Sequence, residues 1–196
     1  MTVTRLPSAV RPRTPRRLAG AVLALVAAAL VAAGCGDPAP NRNAQEGTAV
    51  VQRGINYFVQ DSRALNPNDP DDRALLTGVR HVNRLDGTGQ TLIGVFLQAQ
   101  NEVSSTRGTD PAPVMTSAEG QSYLPITLPR GNPYAYRGGR LAPGAEIPAP
   151  DSAGGESSED GALLVYRLPA DIFITDRPFT LAFGAGAHAA SVQLDL

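Results

Sequence analysis

The chain has no tryptophan and no lysine, and it has only one cysteine and two histidines among 196 residues. A single cysteine excludes a disulfide scaffold within the chain. The two histidines, His81 and His188, lie more than a hundred residues apart, and with one thiol they make a poor ligand set for a transition metal. Charged residues are also few, at 18%, whereas apolar residues reach 42%. That balance predicts one packed domain of ordinary size and argues against wholesale disorder.

Acidic residues are missing from the start of the chain. Five arginines precede the first acid, Asp37, although the whole chain carries a net charge of only −1. Beyond residue 34 there are twelve arginines and eighteen acids, which gives that part a net charge of −6. Nucleic-acid binding needs a basic surface that displaces counterions from phosphates, so we expect no nucleic-acid partner.

The basic start is followed by an apolar run over residues 18–33, made of leucine, alanine and valine with one glycine. As a helix these sixteen residues would rise roughly 24 Å, short of the roughly 30 Å hydrocarbon core of a bilayer. A basic segment, a short apolar run and small residues after it are typical of a secretory signal peptide. We predict a signal peptide over residues 1–34.

The segment Ala32-Ala33-Gly34-Cys35 resembles the lipobox of bacterial lipoproteins, with alanine at position 32 where leucine is usual. The resemblance implies cleavage before Cys35 and diacylglycerol on its sulfur. We expect no other cofactor. Two acyl chains hold a protein stably in a membrane, whereas one binds only marginally. The expected location is the outer face of the cytoplasmic membrane within the cell envelope, with the bilayer as a partner. An uncleaved helix or an incidental cysteine is the alternative, and Arg16-Arg17 leaves a twin-arginine export route open.

Residues 36–47, GDPAPNRNAQEG, contain no aliphatic side chain larger than alanine. Such a segment has nothing to bury, so residues 35–47 are predicted to be the lipidated cysteine and a flexible tether. The folded domain is then expected over residues 48–196.

Within that domain the apolar residues alternate with a period of two, which is typical of β-strands. The clearest run sets Ile93, Val95, Leu97 and Ala99 on one face. Further alternation is found in residues 57–60, 163–168, 179–183 and 190–196. Clusters of Gly, Pro, Asn and Asp separate these runs. The pattern predicts an all-β, antiparallel sandwich of about seven to nine strands, whose last strand could be an exposed sheet edge. Residues 69–76 are the one predicted helix, with Asp71 or Asp72 as its cap.

The order of features from residue 91 onward resembles the telokin-like, immunoglobulin-type domain of many secreted bacterial lipoproteins. The segments that carry the resemblance are residues 92–101, 119–123, 141–144, 163–169 and 177–181. It implies an immunoglobulin-like sandwich over roughly residues 50–196 and no catalytic signature. The Cys…Trp…Cys core of antibody domains is missing, which argues only against a close relationship to antibodies, because aliphatic packing alone can hold a sandwich.

The sequence predicts no catalytic residues. It has no G-x-S-x-G elbow, and solvated surface positions are the favoured interpretation of His81 and His188. Asp69, Asp71 and Asp72 are weak calcium candidates, because Pro70 interrupts the spacing and turn or cap roles explain them better. We therefore predict that the protein is not an enzyme and holds no metal.

One segment has the composition of a binding surface. Tyr134, Tyr136, Arg137 and Arg140 lie within seven residues, and tyrosine and arginine are enriched where interfaces concentrate their binding energy. The alternative is a strand with packed tyrosines and solvated arginines. The favoured function is a non-catalytic binding or accessory module for an envelope or extracellular protein. The second is capture of a small ligand or Ca²⁺ between loops, and the third is a hydrolytic enzyme.

Overall fold

The computed structural model describes residues 44–80, 89–157, 161–186 and 189–196. The predicted signal peptide, Cys35 and the tether up to residue 43 lie outside the described residues. Among the residues that are described, no helix has the length and apolarity needed to cross a membrane.

The described residues form twelve strands and two short helices. The strands are β1 (Ala44–Gln45), β2 (Val50–Gln52), β3 (Ile55–Leu65), β4 (Gln90–Asn101), β5 (Arg107–Gly108), β6 (Val114–Thr116), β7 (Ser122–Tyr123), β8 (Arg140–Leu141), β9 (Glu146–Ile147), β10 (Ala162–Pro169), β11 (Thr180–Phe183) and β12 (Ala190–Gln193). The helices are α1 (Pro70–Leu75) and α2 (Ala170–Thr175).

The strands build an all-β sandwich, as the period-two alternation predicts. Sheet A has the order β1-β12-β11-β6-β7. Sheet B has the order β10-β4-β3-β2, and β9 also pairs with β4. A separate two-stranded sheet joins β5 to β8. The long strands β3 and β4 are antiparallel to each other and lie at the centre of sheet B.

The inter-sheet core is filled by alternate residues of both sheets. The predicted face of β4, with Ile93, Val95 and Leu97, lies in this core together with Phe183 and Val192 of sheet A. These five side chains are 0% exposed. The division of β4 into two faces is therefore confirmed.

Sheet B is also covered on its other face. An outer cluster of buried residues lies there, and it includes Leu92 and Phe96 of β4, Leu75 of α1 and Leu128 of the segment that follows β7. A sheet buried on both faces needs apolar residues at successive positions, which explains the continuous apolar run of β4.

Because of a β-bulge, strand β3 contributes residues to both clusters. The pairing of β3 with β4 shifts between Val59 and Asp61, which adds one residue to β3. Odd-numbered residues before the bulge lie in the inter-sheet core, whereas Leu65 after it belongs to the outer cluster. Because side chains alternate strictly along a strand, one extra residue exchanges the two faces.

The sheet begins earlier than the predicted domain boundary at residue 48. Strand β1 lies in the segment predicted as tether and pairs in parallel with β12. The Glu46 carboxylate accepts hydrogen bonds from the Ser62 hydroxyl, at 2.5 Å, and from the Asp195 N–H, at 3.0 Å. Because backbone pairing and the Glu46 carboxylate hold this strand, the alternation of apolar residues in the sequence does not indicate it.

The last strand is not the exposed edge that its position suggested. Strand β12 lies between β1 and β11, and the edges of sheet A are β1 and β7. The prediction of a free C-terminal edge is therefore wrong, because the N-terminal strand β1 returns to pair with it.

The helices correct two further expectations. Helix α1 falls within the predicted range, but its cap is Asp69, whose carboxylate accepts from the N–H groups of Asp71 and Asp72. Helix α2 was not predicted and has no side-chain cap. Its Phe173 ring lies 6.4 Å from the ring of buried Phe179, so packing on the core holds a segment that has weak helix signals of its own.

Candidate functional site

The structure does not present the predicted binding residues as one surface. Tyr136 is only 7% exposed and belongs to the inter-sheet core. Tyr134 is half-buried against the outer cluster, while Arg137 and Arg140 are exposed. The prediction of Tyr136 as a surface residue is wrong, because its ring completes the core between the sheets.

Three buried tyrosines hold a strap, which we define as residues 109–113. The Tyr57 hydroxyl accepts from the Asp110 N–H at 2.7 Å, and the Tyr136 hydroxyl donates to the Asp110 carbonyl at 2.8 Å. The Tyr166 hydroxyl donates to the Pro113 carbonyl at 2.8 Å. Because these hydroxyls satisfy the strap's backbone, the tyrosines have a structural role.

Burial raises the pKa of all three tyrosines. Desolvation of the phenolate is the largest cause in each, and it raises the pKa of Tyr57 to about 12. The phenols stay protonated at neutral pH, which suits two of them to donate to the strap's carbonyls.

The weak calcium candidates have structural roles. The carboxylate of Asp72 lies 2.6 Å from the guanidinium Nη1 of Arg63 and accepts from the Asn66 N–H at 2.7 Å. Asp69 caps α1, and Asp71 is exposed in the first turn. Among the described residues no group of three or more His, Cys, Asp or Glu side chains could hold a metal ion. His81 and His188 lie outside the described residues.

A cleft on the outer side of sheet B brings four arginines together. It encloses about 530 Å³. We call it the arginine cleft; its lining residues are Gly78, Val79, Arg80, Ile126, Thr127, Leu128, Pro129, Arg130, Arg137 and Arg167. No acidic residue is among these lining residues, although the chain beyond residue 34 carries more acids than arginines.

The two walls of the arginine cleft are tied to each other. The buried Asn132 amide donates to the carbonyls of Leu75, at 2.7 Å, and Thr77, at 3.2 Å. Gly78 lies against Pro129, where an added Cβ would be 3.0 Å from the proline Cγ. The segment after α1 and residues 126–132 are therefore held at a fixed separation.

The floor of the cleft belongs to sheet B. Arg167 lies in β10, and the Ile126 N–H donates to the Val165 carbonyl of the same strand at 2.7 Å. Leu128 is buried in the outer cluster, with Val79 half-buried beside it. Arg167 thus stands on the sheet itself, whereas Arg80, Arg130 and Arg137 lie in turns or loops beside it.

The four arginines keep their positive charge uncompensated within the described part of the chain. The guanidinium of Arg137 donates to two neutral carbonyls, those of Leu128, at 3.1 Å, and Pro129. The Nε of Arg167 is buried and has no hydrogen-bond partner among the described residues. The ion pairs of the described residues are those of Arg63 with Asp61 and Asp72. Such a cleft can attract and hold an anion.

Sequence reasoning found one of the four cleft arginines, Arg137, and missed the others. Arg80, Arg130 and Arg167 are separated by tens of residues and share no motif. One signal was present in β10, where Arg167 follows Leu163 and Val165 on a face that is otherwise apolar.

Comparisons with known proteins identify no family. No protein-family model matches the chain, and no curated protein matches it. An uncharacterised β-sandwich protein of Clostridium difficile 630 is 9% identical, with a TM-score of 0.45 over 82% of this chain and 98% of that one. The yjhA protein of Bacillus subtilis is 13% identical, with a TM-score of 0.45 over 78% and 99%. A functionally unknown protein of Listeria monocytogenes EGD-e is 9% identical, with a TM-score of 0.47 over 78% and 82%.

Proposed function

We propose that the protein is a lipid-anchored envelope lipoprotein whose sandwich is a non-catalytic binding module, with the arginine cleft as its binding site. The observation that carries this proposal is the gathering of four arginines, with no acid among the described residues that line the site, in a concave part of an otherwise acidic domain. Pockets with converging polar groups on a rigid base are the usual form of small-ligand sites. A concave cleft favours capture of a ligand over docking of a flat protein surface.

The sandwich is proposed to be of the telokin-like, immunoglobulin type. Three of the segments that carry that resemblance coincide with structural elements. Residues 92–101 lie in β4, and residues 163–169 lie in β10. Residues 119–123 comprise the turn before β7 and the two residues of that strand. This assignment supports a binding role by analogy alone.

The anchor is proposed to be diacylglycerol on Cys35. The first strand starts at Ala44, so eight residues separate it from the lipidated cysteine. Eight residues span at most roughly 28 Å, which would keep the module close to the outer face of the cytoplasmic membrane.

We expect Cys35→Ser to abolish lipid attachment. Cells of a bacterial host grown with an alkyne-labelled fatty acid should yield a labelled wild-type chain that has lost residues 1–34, because the diacylglycerol is attached through a thioether to that sulfur. The readouts are fluorescence after coupling to the alkyne and the mass of the purified chain. Gly36→Ser introduces the same side chain next to Cys35 and should keep the label. Label on the Cys35→Ser chain, or none on the wild type, would contradict the proposed anchor.

The binding role predicts that an envelope ligand stabilises the wild-type protein through the cleft. A ligand at about 100 times its Kd adds about 2.7 kcal/mol to the free energy of unfolding, which corresponds to a rise of roughly 5–10 °C in Tm for a domain of this size. The measurement is a thermal unfolding curve of the full chain with and without the small-molecule fraction of a cell-envelope extract.

Two double variants test where that ligand binds. Arg130→Gln/Arg167→Gln should remove the rise in Tm, because both side chains line the cleft. Arg107→Gln/Arg140→Gln removes the same charge from residues that do not line it, and should keep the rise. An equal rise in all three proteins would refute the cleft as the binding site.

A further inference from the structure

We infer that the arginine cleft binds the phosphate group of its ligand. This inference rests on the proposed function, because it names the ligand chemistry of the same site. It is carried by the charge and the arrangement of four side chains, Arg80, Arg130, Arg137 and Arg167, and by the donors of Arg137 and Arg167.

The charge of the cleft opposes that of the domain around it. Four of the twelve arginines beyond residue 34 line one cavity, in a part of the chain with a net charge of −6. Positive charges held in the same cavity repel one another, and no acid of the described residues pairs with them. A bound anion removes that repulsion, so the cleft favours an anion over an empty site.

The origin of the arginines in separate segments favours phosphate over carboxylate. The four come from four separate segments: the residues after α1, the segment at residues 126–130, the residue after Tyr136, and β10. A carboxylate offers two oxygens in one plane, which one guanidinium fork can satisfy. A phosphate directs its oxygens tetrahedrally, so it can accept from both walls and the floor of a cleft at once.

Two of the four guanidinium groups are prepared for an anion, Arg137 by its orientation and Arg167 by its partial burial. The Leu128 and Pro129 carbonyls accept hydrogen bonds from Arg137, and these two bonds do not use all of its N–H groups. Arg167 stands half-buried in β10, and its Nε lacks a partner among the described residues. Prior orientation lowers the entropy that binding must overcome, and partial burial strengthens the attraction for a charged oxygen.

The experiment is isothermal titration calorimetry of the full chain in micelles of a neutral detergent. Inorganic pyrophosphate represents a free phosphate, monomeric dihexanoyl phosphatidylglycerol represents a lipid headgroup, and glutarate is the carboxylate comparison. Each probe is titrated into wild type, Arg130→Gln/Arg167→Gln and Arg107→Gln/Arg140→Gln, after circular dichroism has shown that all three are folded.

We expect at least one phosphate probe to bind wild type more tightly than glutarate. The cleft variant should bind it at least roughly tenfold more weakly, while the control variant stays close to wild type. Affinity should also fall as NaCl is raised, because salt screens the arginines. Pyrophosphate binding alone would identify a free phosphate as the source, and phosphatidylglycerol binding alone a headgroup; both support the inference.

Three outcomes would overturn the inference: no binding of either phosphate probe, glutarate binding at least as tightly, or equal losses in the two variants. If the envelope fraction still stabilises wild type through the cleft in those cases, the proposed function stands and only the ligand chemistry is wrong. If that stabilisation is missing as well, both proposals fail.

Discussion

Replacing Tyr57 by alanine should lower the free energy of unfolding by about 4 kcal/mol, which lies within the range measured when large aromatic core residues are replaced by alanine. Tyr57 is 0% exposed, and its ring stacks on Phe183 with 4.0 Å between the ring centroids. The change would leave a cavity between the sheets and would also remove the hydroxyl that accepts from the Asp110 N–H. Urea unfolding followed by far-ultraviolet circular dichroism measures this loss.

Two neighbouring variants separate the causes. Tyr57→Phe keeps the ring and removes only the hydroxyl, so it should cost about 1–2 kcal/mol for the unpaired Asp110 N–H. Phe58→Ala removes an aromatic ring from the half-buried other face of β3 and should cost about 1 kcal/mol or less. A Tyr57→Ala protein within about 1 kcal/mol of wild type would show that the strap and the core do not depend on this side chain.

The strands that can be predicted from the sequence are those with many apolar residues. Strand β4 is predicted with both of its faces, because each face packs against its own apolar cluster. Strand β10 follows for the same reason, with Leu164 and Tyr166 in the core and Leu163 and Val165 in the outer cluster. Burial on two faces leaves a pattern in the sequence that local propensity alone does not.

The elements that the sequence analysis missed or misplaced are fixed by contacts outside their own segments. Strand β1 is fixed by backbone pairing and by the Glu46 carboxylate, and α2 by the packing of Phe173 on the core. The bulge in β3 adds one residue between Val59 and Asp61, and no sequence pattern there indicates it. These features depend on partners far along the chain, which a pattern within one segment does not contain.

The candidate site shows the same limit. Tyrosine and arginine are frequent at interfaces, but the same residue types also complete cores and cap carbonyls. Tyr136 packs between the sheets, while Arg137, the next residue, is exposed and lines the cleft. The remaining cleft arginines come from segments as far apart as residues 80 and 167, so only the folded chain brings them together.

Alanine at Gly138 should destabilise the protein by about 2–3 kcal/mol, whereas alanine at the adjacent Gly139 should change its stability by no more than about 0.5 kcal/mol. An added Cβ at Gly138 would lie 2.6 Å from the Pro111 Cα and 3.0 Å from the Asp110 carbonyl oxygen, both of them strap backbone. At Gly139 nothing lies within 4 Å of the added atom. The measurement is urea unfolding of both variants beside wild type.

The two substitutions are matched because neither glycine has a positive φ, so any conformational gain from alanine in the unfolded chain is the same for both. The difference between them therefore reports the space beneath the strap alone. The strap cannot move away without breaking the hydrogen bond at 2.8 Å between the Tyr136 hydroxyl and the Asp110 carbonyl. Equal stabilities for the two variants would mean that the strap yields to the new methyl group, and that the buried tyrosines do not fix its position.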